Sequence, residues 1–212
     1  MKKVFILLIT LILCVGCTRV DNENNLDLIV DTVLQNKDKP ANTTSMGYKY
    51  YLPMGVIKIH DKDYNQKFKV DNNYIYLYAD IVSFHHKNTL NFNEENNNAY
   101  YYKKINNNEK NGYIKIEQNN EDYYIKIVYN YAKIESYVKK TEINKVLTNS
   151  MIILDSIDYN EKLIKNIIED EKITSPDREY KIDKPIDAES KFSEYLSENV
   201  HEEEYIPELP EY

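Results

Sequence analysis

Two adjacent histidines, His85 and His86, are the residues best suited to acid–base or metal chemistry in this chain. They close a run of alternating residues that reads as a strand, and neighbouring strand residues point to opposite faces. They cannot close on one metal there, and no cysteine follows Cys17 to complete a site. His60 stands beside Asp61-Lys62-Asp63 at what reads as a turn. The same stretch is a poor calcium loop, because the glycine and the closing glutamate are missing. No serine lies in a nucleophile elbow, and no pair of carboxylates is set by spacing as acid and base. The expectation is a non-catalytic protein without metal or cofactor. Were it an enzyme, His85, His86 and His60 would be its candidates.

Binding chemistry is better represented. The chain has 21 tyrosines, several of them clustered: Tyr48, Tyr50 and Tyr51; Tyr100, Tyr101 and Tyr102; Tyr123 and Tyr124. Tyrosine offers a flat apolar ring with a hydroxyl handle, suited to glycans and to protein partners. It also favours strands. A chain equally rich in Asn, Ile and Lys can owe its tyrosines to an AT-rich coding sequence. Both origins stand at this point.

The elements that position these residues are read from periodicity. Leu26, Leu28, Ile29, Val30, Val33 and Leu34 mostly recur at helical spacing, with Asn25 as a candidate N-cap. From Tyr48 to Val138 the period is two, as where Ile114 and Ile116 alternate with Lys115 and Glu117. Asn/Asp clusters at 61–63, 71–73, 106–108 and 119–120 divide that stretch with turn-forming residues. Strands are expected near 54–60, 66–70, 74–84, 99–105, 112–118 and 122–138, joined as antiparallel hairpins. The last run changes parity near Tyr131, which predicts a bulge. Helical spacing returns after Thr141, a candidate cap, and Asp158 to Glu161 resembles a capping box for a further helix. The fold class is α+β: an antiparallel meander of about six strands, with one N-terminal and two C-terminal helices packed on it.

Charge divides the chain further. Its net −8 is not uniform: residues 169–212 hold 15 acidic and 5 basic side chains, a net −10, against 20 acidic and 22 basic in residues 1–168. The acidic balance argues against a nucleic-acid partner. The composition of 169–212 predicts a largely extended or disordered extension. It is either solubilising or a recruiting arm with Phe192, Tyr195 and Leu196 as apolar anchors.

The first residues read as an address. Lys2 and Lys3 precede an apolar run over 4–15, about a dozen residues and shorter than the roughly 20 a spanning helix needs. Gly16 and Cys17 end it, and a polar stretch follows. This arrangement resembles the signal peptide of bacterial lipoproteins. The resemblance implies cleavage before Cys17, a lipid such as palmitate on Cys17, and anchoring to the outer surface of the cell membrane. Cys14 stands where that family usually carries Leu, Val or Ile. The expected organisation is a signal peptide over 1–16, a lipidated tether over 17–25, an α+β domain over 26–168 and an acidic extension over 169–212. The expected function is a membrane-anchored, extracytoplasmic binding or accessory module for an envelope protein or cell-wall glycan. Small-ligand binding and a hydrolase-type enzyme are the alternatives.

Overall fold

Alternation of isoleucine with polar residues makes the centre of the chain pair into a sheet, since each strand can bury one side. The computed structural model describes residues 22–36, 39–62, 64–88, 99–107 and 110–171. Its elements are α1 (Asn22–Gln35), β1 (Thr43–Ser45), β2 (Tyr48–Tyr50), β3 (Val56–Lys62), β4 (Asn65–Val70), β5 (Asn73–Ala79), α2 (Ile81–His85), β6 (Tyr101–Asn107), β7 (Lys110–Asn119), β8 (Asp122–Tyr129), β9 (Ala132–Lys139), α3 (Ile143–Asp155), β10 (Asp158–Tyr159) and α4 (Glu161–Glu171). The fold is α+β, as expected. Cys17, Phe192, Tyr195 and Leu196, with the expected signal peptide and nearly all of the acidic extension, lie outside the described residues.

The main sheet has seven antiparallel strands in the order β3-β4-β5-β9-β8-β7-β6. It is two meanders joined at β5 and β9, where Leu77 faces Ile134. A small sheet, β1-β2-β10, stands beside it.

Two of the expected strands change. The run 74–84 is not one strand: it stops at Ala79, and the Asp80 carboxylate accepts the Ser83 N–H at 2.8 Å, capping the short helix α2. His85 and His86 thus sit at a helix end, their rings 5.0 Å apart. The run 122–138 is not a bulged strand but a hairpin, with Tyr129 paired to Ala132 across Asn130-Tyr131. Both turn residues have positive φ, 51° and 59°, as a two-residue turn of the primed type demands. The parity change near Tyr131 is that turn.

On one side of the main sheet lie Ile75, Leu77, Ile114, Ile116, Ile125, Ile127 and Ile134, none more than 1% exposed. They share one hydrophobic cluster with Leu26 and Val30 of α1 and with Val146, Leu147, Met151 and Leu154 of α3. At the edge of this side, Lys103 bridges Asp27 and Asp31 of α1 at 3.0 and 2.8 Å, fixing the helix over β6. A 3-10 turn over Lys140–Glu142, rather than a Thr141 cap, leads into α3.

The second C-terminal helix takes a different place. Ile164 and Ile167 of α4 cluster with Ile81 of α2, and a Cβ on Gly47 would lie 2.8 Å from Ile164. Asn160, not Asp158, caps α4 by accepting the Leu163 N–H at 3.0 Å. Asp158 and Tyr159 are used instead as strand, paired with β2. No helix among the described residues is long and apolar enough to cross a membrane.

Candidate binding face

Strand parity sends every second residue to the other side of the main sheet, and that side is chemically different. One row crosses all seven strands as Tyr102, Lys115, Lys126, Glu135, Tyr76, Lys67 and His60. The next row reads Lys104, Tyr113, Val128, Lys133, Tyr78, Asn65 and Lys62. Tyr124 faces both Glu117 and Tyr137, and Tyr74 faces Lys69. Neither hydrophobic cluster beneath the helices includes any of these side chains. We call this side the outer face.

Rings and lysines on this face pack against one another. Tyr113 and Tyr76 are only 3% and 8% exposed. Tyr102 stacks on Tyr113 with centroids 6.2 Å apart, and Tyr124 lies 4.9 Å from Tyr137. The Lys67 ammonium sits 4.3 Å from the Tyr74 ring centre and 5.1 Å from that of Tyr76, within cation–π range. Lys133 pairs with Glu135 at 2.8 Å and Lys115 with Glu117 at 2.9 Å. The Tyr124 hydroxyl donates to Glu135. Burial, and then that bond, holds this hydroxyl well above the usual phenol range. The Tyr102 hydroxyl is enclosed and has no hydrogen-bond partner among the described residues.

The face concentrates positive charge. Residues 22–171 contain 19 lysines, no arginine and 22 Asp or Glu, a net −3. Among the described residues, eight of those lysines (62, 67, 69, 104, 115, 126, 133 and 139) occupy outward strand positions, with only Glu117, Asp122 and Glu135 as carboxylates. The outer face therefore carries +5 within a segment that is negative overall. The result is a broad aromatic and cationic sheet surface.

The tyrosine clusters expected from sequence do not form one surface. Tyr48 and Tyr50 are 3% and 0% exposed and belong to the core, where Tyr50 meets Phe68 edge-on. Burial drives both hydroxyls well above their usual range. Tyr51 is half-buried, its N–H bonded to the Ser156 hydroxyl. Tyr100 packs at the rim of the core against Tyr123. Tyr101 lies beneath α1 and donates to Asp27 at 2.9 Å. Only Tyr102 of that cluster reaches the outer face. Its companions there come from β5, β7, β8 and β9, far apart in sequence. The signal that could have found them is the lysine alternation: Lys67, Lys69, Lys115, Lys126 and Lys133 all lie at the parity opposite the buried residues.

Elsewhere, a cleft of about 400 Å³ is lined by Tyr48, Tyr159, Asn160 and Leu163 together with the exposed Lys49–Asp158 pair. Lys58 and the Ser45 hydroxyl hold the Asp61 carboxylate at 2.7 and 3.0 Å, and these bonds outweigh its partial burial to lower its pKa. No group of three or more His, Cys, Asp or Glu able to hold a metal occurs among the described residues. In comparisons with known proteins, no family model matches the chain and no curated protein sequence matches it.

Proposed function

We propose that this chain is a lipid-anchored extracytoplasmic protein that acts without catalysis, as a binding or accessory module for an envelope component. The outer face of the main sheet is its contact surface. The observation that carries this reading is the segregation of eight lysines and seven tyrosines onto one side of a seven-stranded sheet. Charge of that sign calls for an anionic partner, and flat rings suit stacking on sugars. An anionic cell-wall polymer answers to both. A lipid on Cys17 is the anchor, and α1 begins at Asn22, inside the stretch expected as tether. The anchor would therefore hold the domain close to the membrane.

The anchor is tested by Cys17→Ser, which should abolish labelling of the protein by a radioactive fatty acid. Persistent label on the variant would refute it. The surface is tested by co-sedimentation of the full chain with isolated cell-wall sacculi. Replacing Lys69 and Lys126 together by Gln should cut the bound fraction several-fold. Equal binding by both proteins, or binding only to an acidic envelope protein, would overturn the wall-polymer reading.

A further inference from the structure

The outer face and the C-terminal extension of this chain have opposite charge, and the extension is long enough to reach. Residues 192–212 contain seven Glu and neither Lys nor Arg. Phe192, Tyr195 and Leu196 open that stretch at the spacing of one helical face. The described fold ends with α4 at Glu171, leaving residues 172–191 as a connection. A flexible chain of that length spans about 25 Å, and a fully extended one over about 60 Å. Seven strands spaced about 4.8 Å apart make a sheet about 29 Å wide. The connection therefore lets the acidic segment meet the lysine rows whichever edge it approaches.

We infer that residues 192–212 dock in cis on the outer face, over Lys67, Lys69 and Lys126, and compete there with the external anionic partner. This rests on the outer face being the contact surface proposed above. Tethering places the segment near the face at an effective concentration on the order of millimolar, so a weak contact suffices. The ring faces of Tyr74 and Tyr102 offer apolar support for Phe192 and Tyr195. An external polyanion must displace the segment, so only a partner presenting many charges at once gains the face. The device is a selectivity filter built from the same surface: isolated anions lose the competition, and extended polymers win it.

Zero-length carbodiimide coupling of the full chain, read on the monomer by peptide mass spectrometry, tests the contact. Amide links should join Lys67, Lys69 and Lys126 to Glu194, Glu198 and Glu202 to Glu204. They should exceed links to Lys140 and Lys145 on the helix side, and fall about tenfold at about 1 M salt, where screening acts within about 3 Å. Links spread evenly over both sides, or unchanged by salt, would overturn the inference. The variant with Glu202, Glu203 and Glu204 all changed to Gln should lose most of the remaining links from Glu194 and Glu198 to these lysines and bind sacculi several-fold better; unchanged binding would overturn the competition. The two readings fail separately. Even links alongside Lys-dependent wall binding would sink the cis contact alone. Strong links with no wall binding would sink the wall-polymer partner and leave the contact standing.

Discussion

The two sides of the main sheet come from the same seven strands and differ only in parity, yet they are built for different ends. The covered side joins Ile114, Ile127, Ile134 and Leu77 edge to edge in one row under α1 and α3. The row beside it on the outer face reads Tyr102, Lys115, Lys126, Glu135 and Tyr76. Dry apolar burial on the first side stabilises the fold. Amphipathic side chains on the second cover the backbone with rings and methylene stems, and charged ends such as Lys133 and Glu135 pair with one another. A sheet can thus keep one side available without presenting a continuous apolar patch, which would invite aggregation.

The sharpest way to break this comparison is at two neighbouring residues. Ile127 is fully buried on the covered side, and Val128 is half-buried on the outer side. Ile127→Ala should cost about 2–5 kcal/mol, through lost burial and the cavity left between β8 and α3. Val128→Ala should cost about 1 kcal/mol or less, since only part of its surface is removed from water. Urea unfolding of both variants measures the gap. Equal losses would mean that the outer face is as tightly covered as the core.

A smaller effect is expected where the covered side meets charge. Tyr101 donates to Asp27, which also pairs with Lys103. Lys103, then Tyr101, holds the Asp27 carboxyl below the usual carboxylate range. Because the folded value lies below the unfolded one, this stabilisation is complete above about pH 4 and fades as the pH falls through the folded value. Tyr101→Phe should therefore cost about 1 kcal/mol at neutral pH. The difference from the parent should shrink in acid. A pH-independent difference would assign the loss to packing rather than to the bond with Asp27.

The same contrast explains what could be read before the fold was known. The covered side was legible because one parity of β7, β8 and β9 carries Ile114, Ile116, Ile125, Ile127, Ile134 and Val138 while the other carries lysine and glutamate, which fixes strand and face together. The hairpin at Asn130-Tyr131 was not, because its second turn position holds Tyr rather than Gly, and a tyrosine at positive φ is not a turn signal. The helix α2 was hidden for a related reason: Ile81, Val82 and Phe84 have the composition of strand, and the Asp80 cap ends the strand. The candidate surface was the hardest part. Runs such as Tyr100-Tyr101-Tyr102 draw the eye, but alternation splits them between sides. The surface is assembled by cross-strand register from Tyr76, Tyr102, Tyr113, Tyr124 and Tyr137; the lysine alternation marks the parity within each strand but not which strands lie side by side.

The smallest expected change in stability is the one that sharpens the functional side of the comparison. Lys69 and Lys126 lie on the outer face, Lys69 paired across strands with Tyr74 and Lys126 with Lys115 and Glu135. Replacing both by Gln keeps most of each stem and removes two charges. Surface substitutions of this kind usually fall within about 0.5 kcal/mol, and removing like-charge crowding between Lys115 and Lys126 offsets part of any loss. The urea midpoint should therefore stay close to that of the parent, while binding to sacculi weakens and becomes less steep in salt, because fewer counterions are released on contact. A large stability loss would show that the lysines hold the sheet together through the rings they cover. Unchanged stability with weakened, flatter binding would separate the two sides as the fold and the contact surface of one sheet.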